Sequence, residues 1–227
     1  MSLPDWAEPV LRYMLEVGLK GTLQIAAISL AGSLLIGITF GTALTIKFMP
    51  SRALLRLYVE VWRGLPILVT LFLVFFLLPA VNPRLEFDAL VSASIALTLW
   101  GSAQVAEATR GAVQSIPKEQ HEAASALGFG WIGRHVFVIL PQALRRLLPP
   151  LVSLLVNIIQ NSTIAQVIGA PELLESAERQ VERLAAPPPI GIGEIKAFPI
   201  YATVMVIFFL ISFPLTRLAA YLERRLV

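Results

Sequence analysis

The chain has 227 residues, 56% of them hydrophobic and only 15% charged, with a mean hydropathy of +0.75 and a net charge of +3. A soluble domain carries about 25% charged residues, so this composition points to a membrane protein. The small net charge excludes a broad nucleic-acid surface, and the lack of cysteine excludes disulfides, thiolate metal sites and cysteine nucleophiles.

Residues 1–18 carry Asp5, Glu8 and Glu16 and no apolar run, so they do not form a cleavable signal peptide. Five later windows approach the ~20 apolar residues that a bilayer-crossing helix requires. They are residues 19–46, 54–80, 90–106, 147–170 and 197–220. The first contains Gly32, Gly37 and Gly41, and the Gly37/Gly41 pair reads as a close-packing face between helices. The inner ends of two spans repeat a pattern: VEVWRGLP holds Glu60 and Arg63, and AEATRGAV holds Glu107 and Arg110. Each pair is three residues apart and shares a helical face. A charge just inside the bilayer costs about 3 kcal/mol even on lenient insertion scales. These groups therefore either snorkel to the interface or form ion pairs at an inner gate, and the pattern leaves both open.

Residues 117–135 form a connection with its own helix signal. Pro117 suits a helix start, Glu119 and Glu122 complement the helix dipole, and Ala123, Ala124, Ala126 and Leu127 are good helix formers. Gly128 and Gly130 end it, giving a helix of about two turns that is marginal alone, so it either docks on a partner surface or packs as a loop helix on its own bundle. The fourth span is the most polar: Ser153, Asn157, Gln160 and Asn161 share a face, with Ser162, Thr163 and Gln166 following. Side-chain amides are costly against lipid, so this face lines a protein seam or a polar pathway, and the pathway is preferred here. In the long connection 171–198, Leu173, Leu174, Ala177, Val181 and Leu184 recur at helical spacing, which predicts a short amphipathic helix on the outer membrane surface.

Basic residues set the orientation. The first, third and fifth connecting regions, Lys47 and the C-terminal arginines among them, hold twelve of the 18 Lys and Arg residues. The opposite side holds six, together with ten of the 15 acids. The expected topology is an all-α integral membrane protein with five spans, the N-terminus outside and the C-terminus in the cytoplasm. Residues 117–135 then face the cytoplasm, and the whole chain reads as one transmembrane domain.

Enzyme motifs fail on inspection. HEAAS places Ser125, not a second histidine, four residues after His121, so it cannot hold zinc as HExxH does. There is no phosphate loop, nucleophile elbow or dinucleotide fingerprint. No catalytic residue, metal or cofactor is expected on the chain.

Glu122-Ala123-Ala124, Gly128 and the later Ile139-Leu140-Pro141 resemble the EAA signature of ABC importer permeases. VEVWRGLP, AEATRGAVQSIPKEQHEAASALG, LPQALRRLLPP and VIGAPEL are similar to permeases of the polar amino acid importers, the histidine/glutamine type. The resemblance runs from about residue 18 to 225. It implies an amino acid importer subunit in a bacterial inner membrane, and a coupling helix that docks on a cytoplasmic ATPase dimer. ATP and Mg would be bound by that dimer. Glu122 would contact the ATPase, Ala123, Ala124 and Leu127 would form the docking face, and Gly128 would turn the chain back. A second permease subunit and an extracytoplasmic solute-binding protein would complete the assembly, the latter docking near residues 171–184.

The chain departs from the family pattern where substrate is expected. Leu65 and Thr70 stand where relatives have Thr and Gln, Gln104 replaces Tyr, and Gln160-Asn161-Ser162-Thr163 replaces K-D-T-S. An aspartate could pair with an α-ammonium group, whereas Asn161 can only hydrogen-bond to it. Arg63 keeps the planar donor fork that suits a carboxylate. Two explanations stay open: the subunit is the structural half of a heterodimer, which is slightly favoured, or it takes a less cationic solute. A passive channel or scaffold is the competing class, and the projecting helix argues against it.

Overall fold

The computed structural model describes residues 4–46 and 49–226. Lys47 and the first three residues of the N-terminal segment lie outside the described residues. Eight helices are present among those described: α1 Ala7–Ala43, α2 Met49–Gly64, α3 Ile67–Val81, α4 Ala89–Gln114, α5 Lys118–Ala126, α6 Trp131–Ile168, α7 Leu173–Ala185 and α8 Ala197–Leu226. Four of them, α1, α4, α6 and α8, are long and apolar enough to cross a membrane, and α2 with α3 makes a fifth if the pair is counted as one span.

Three expected boundaries are corrected, the fourth span among them, since α6 begins at Trp131 and not near residue 147. The first helix begins at Ala7, not near residue 19, and passes through a wide π turn at Met14–Leu19. The expected span 54–80 is not one helix: α2 and α3 meet at a bend of 107°. Pro66 causes the break, since it has no N–H for a helical bond and disfavours helical geometry at Leu65. Proline also explains two further π turns. Leu73–Leu77 precedes Pro79 and His135–Ile139 precedes Pro141, and each proline deprives the carbonyl four residues back of its donor.

The chain forms two compact units, each assembled from separate stretches. The first unit comprises Met1–Ser29, Ile67–Leu97 and Asn157–Pro214, and the second comprises Leu30–Pro66, Thr98–Val156 and Leu215–Val227. In the first unit, α7 packs into a core of Val10, Met14, Leu173, Ala177, Leu184, Ile200 and Val204. Its charged side stays open at Arg179, Glu182 and Arg183, while Ser176 and Ala177, and Glu172 just ahead of the helix, are fully buried. Gly21 permits this approach: a Cβ there would stand 1.8 Å from the carbonyl oxygen of Pro171. The Thr22 hydroxyl accepts the Leu173 N–H at 3.1 Å beside it.

In the second unit, the Gly37/Gly41 face packs α1 on α4 as the sequence suggests. A Cβ at Gly37 would meet Val105 at 2.4 Å, and one at Gly41 would meet the Ala106 carbonyl oxygen at 2.4 Å. α2 is amphipathic and buries Val59, with Leu55 and Tyr58 beside it, against Leu44, Ala106 and Phe40. Beneath α5, Val113, Ile116, Ile139 and Ala143 form a small core. Outward faces stay apolar, with Leu35, Met205, Leu210 and Phe198 all exposed, which suits a lipid surface.

Candidate functional site

α5 is the most sharply defined feature. Pro117 precedes it with extended backbone (φ −54°, ψ 145°), and Glu119 lies in its first turn. Its end is a Schellman motif: the Gly128 N–H donates to Ser125 O at 3.0 Å and the Phe129 N–H to Ala124 O at 3.1 Å. Gly128 supplies the positive φ of 82° that this turn requires. Glu122, Ala123 and Leu127 are exposed, Leu127 at 77%. Ala124, by contrast, is 2% exposed and faces its own chain, so the two alanines of the signature do different work. Ile139, further along the same signature, is a core residue with no exposure. Burial and the nearby Arg134 charge hold the His121 imidazole below its ordinary value of 6.5.

The charged residues of the two repeated motifs sort differently from their spacing. Glu107 and Arg110 do pair, at 2.5 and 3.0 Å, and Arg110 also donates to the Gln114 side-chain oxygen at 2.6 Å. Glu60 pairs one turn back, with Arg56 at 2.9 Å, and not with Arg63. An i,i+4 geometry on exposed α2 accounts for that choice. Arg63 Nε instead donates to Gln104 Oε1 at 3.3 Å, which joins two of the residues singled out from the sequence. The Tyr58 hydroxyl meets Ser102 Oγ at 2.7 Å nearby in chain position, and neither residue was flagged by motif.

The remaining polar candidates belong to the first unit. Thr70 is fully buried. Asn157 and Gln160 are exposed, while Asn161 Nδ2 donates to Asn157 O at 2.8 Å and leaves its own oxygen as an acceptor. The helix tightens to 3₁₀ geometry from Ser162 to Ile168. Ser162 is buried and bonds to Ile159 O, and Thr163 bonds to Gln160 O, both at 2.8 Å. The polar face is therefore Ser153, Asn157, Gln160 and Asn161, with Ser162 turned away from it. Gln166 is engaged by Glu178 of α7.

Sequence reasoning passed over Glu172. Its carboxylate caps α7, accepting the Leu174 and Glu175 N–H groups at 3.0 and 2.7 Å. Burial pushes its pKa up to about 7, against the lowering effect of those hydrogen bonds. A glutamate after VIGAP and ahead of an apolar periodic run was the available signal, as an N-cap of unusual type.

The family model described as "Binding-protein-dependent transport system inner membrane component" matches residues 13–227. The chain belongs to this family. It is 35% identical over 224 residues to the glutamine transport system permease protein GlnP of Escherichia coli K12, covering 98% of this chain and 97% of that one. The probable glutamine ABC transporter permease protein GlnM of Bacillus subtilis is 32% identical over 209 residues, covering 92% and 91%. Among solved structures, a crystal structure of an amino acid ABC transporter with histidines superposes with a TM-score of 0.81 at 26% identity, covering both chains completely. The MetNI methionine ABC transporter shares the fold, with a TM-score of 0.77 at 20% identity over 97% of this chain and 99% of that one. The chain is thus a membrane permease subunit of this transporter family.

Proposed function

We propose that this permease forms the solute path of an ATP-driven importer for amino acids, with a second permease beside it. Its N-terminus lies outside and its C-terminus in the cytoplasm, as the distribution of basic residues supports. α5 is the coupling element. The supporting observation is its geometry: a capped, projecting helix that exposes Glu122, Ala123 and Leu127 and is locked at its end by Gly128. A bare leucine at 77% exposure beside a free carboxylate suits a groove on a cytoplasmic ATPase subunit. ATP and Mg belong to that ATPase, and an extracytoplasmic binding protein delivers solute. Binding of ATP shifts the permease between states only if the ATPases hold α5 differently in each.

Within the second unit Arg63 with Gln104 offers donors to a carboxylate. Within the first unit Asn157, Gln160 and Asn161 offer neutral polar contacts. The free acceptor on Asn161 suits an amino group without supplying a charge. That neutral set, in place of the carboxylate of relatives, favours a heterodimer in which the other permease makes the ionic contact. Glu122→Arg tests the coupling assignment: uptake and solute-stimulated ATP hydrolysis should be lost while membrane insertion is unchanged. Normal uptake by that variant would overturn it.

A further inference from the structure

A cleft of 670 Å³ lies at the junction of α4, α5 and α6, wholly within the second unit. Thr45, Val113, Gln114, Lys118, His121, Trp131, Arg134 and His135 line it. The importer reading does not use it. Its chemistry is one-sided: two fixed cations and two imidazoles face it, and no carboxylate is among the described lining residues. Lys118 pairs with no acid among the described residues. Arg134 Nη1 donates to Ser125 Oγ at 2.8 Å, but its Nε is buried and donates to nothing described. The guanidinium carries further donors beyond the one given to Ser125, and a charged fork of this kind favours an anion beside it. His135 is held in place: it stacks on Trp131 at 4.1 Å, donates through Nδ1 to Trp131 O at 2.8 Å and meets the Thr45 hydroxyl through Nε2 at 3.4 Å, with the His121 ring 6.1 Å away. Gln114 gives its oxygen to Arg110, which leaves its amide nitrogen as a further donor.

The geometry points to a phosphate-binding site in this cleft, formed by Lys118 and Arg134 with Gln114 and the two histidines around them. Its place favours the phosphodiester of an anionic phospholipid as the source. Gln114 is the last residue of one apolar helix and Trp131 the first of another, so the cleft opens where two spans end and headgroups lie. A phosphate there would bridge Lys118 and His121 of α5 to Arg134 of α6. It would fasten the projecting helix to the span that follows it.

The test uses the intact assembly, delipidated in mild detergent and given either phosphatidylglycerol or phosphatidylcholine, with bound lipid counted by native mass spectrometry. The proposal expects phosphatidylglycerol to be retained at least ~10-fold over phosphatidylcholine, and that preference to be lost in Lys118→Gln/Arg134→Gln. Lys118→Gln alone, an exposed substitution that leaves packing intact, should reduce retention by ~3–10-fold. Arg145→Gln, exposed and outside the cleft, serves as the charge control and should change nothing. Inorganic phosphate at millimolar concentration separates the sources. If wild type retains neither lipid preferentially but binds inorganic phosphate and the double variant does not, the phosphate site stands and a soluble phosphate is its ligand. If neither lipid nor inorganic phosphate distinguishes wild type from the double variant, the site is refuted. Those outcomes leave the coupling role of Glu122 unaffected, because Glu122 does not line the cleft.

Discussion

Glu172→Gln should make the permease more stable at pH 8 and leave it nearly unchanged at pH 5. Glu172 has no solvent exposure, and burial raises its pKa from the ordinary 4.5 to about 7. The folded state therefore holds a proton that the unfolded state has released across that interval. Stability is full below about pH 4.5, declines as pH rises through the window, and levels off above 7. A displacement of about 2.5 pH units, at 1.36 kcal/mol per unit, puts the cost of the ionised group at about 3 kcal/mol. Glutamine has nearly the same volume and keeps one carbonyl oxygen for the Leu174 and Glu175 N–H groups. Losing the second oxygen costs about 1 kcal/mol, so the net gain at pH 8 is about 2 kcal/mol. In a chain of this length that raises the melting temperature by roughly 4–8 °C. Tryptophan fluorescence melts of both proteins in detergent, at pH 5 and pH 8, measure it. A gap between them that does not change with pH would refute the reasoning.

Further substitutions probe the packing, the pathway and the orientation. Gly21→Ala forces a methyl group against the Pro171 carbonyl, 1.8 Å from the ideal Cβ position, and must shift α7 by more than an ångström. It should lower stability by about 3 kcal/mol, visible as a drop in melting temperature, whereas Gly64→Ala, where nothing lies near, should be nearly silent. Asn161→Asp should change substrate preference in uptake assays across a panel of amino acids if this face lines the path. Single cysteines at Ser125 and Ala186 should label from opposite sides of the membrane, Ser125 from the cytoplasm, and labelling from the reverse sides would overturn the orientation.

Much of the architecture was legible because lipid imposes simple demands. Apolar length identified α1, α4, α6 and α8, and glycine spacing identified the seam where Gly37 and Gly41 meet α4. Local chemistry defined α5 to within a residue, since Pro117 and Gly128 act through their own backbone restrictions. What escaped were features decided by distant partners. Hydropathy averages over a window, so it joined α2 to α3 across Pro66 although proline alone warned of a break. An amphipathic pattern reports an apolar face and is silent on what that face packs against. For α7 the partners are Val10 and Met14 of α1 and Ile200 and Val204 of α8, with Gly21 allowing the close approach. Pair choice was equally hidden: Arg63 could reach Glu60 by spacing, yet Arg56 takes Glu60 and Gln104 receives Arg63. Ala124 shows the same limit, because a motif names residues without saying which faces in.

The central claim is that α5 couples this permease to an ATPase, and copurification tests it most directly. The chain should be tagged and extracted gently from its native membrane, as wild type and as Glu122→Arg, and its stoichiometric partners identified by mass spectrometry. The account predicts that wild type brings down an ATPase with a phosphate loop together with a second permease, and that Glu122→Arg keeps the permease and loses the ATPase. Recovery of the wild-type chain alone, in several mild detergents, would contradict it.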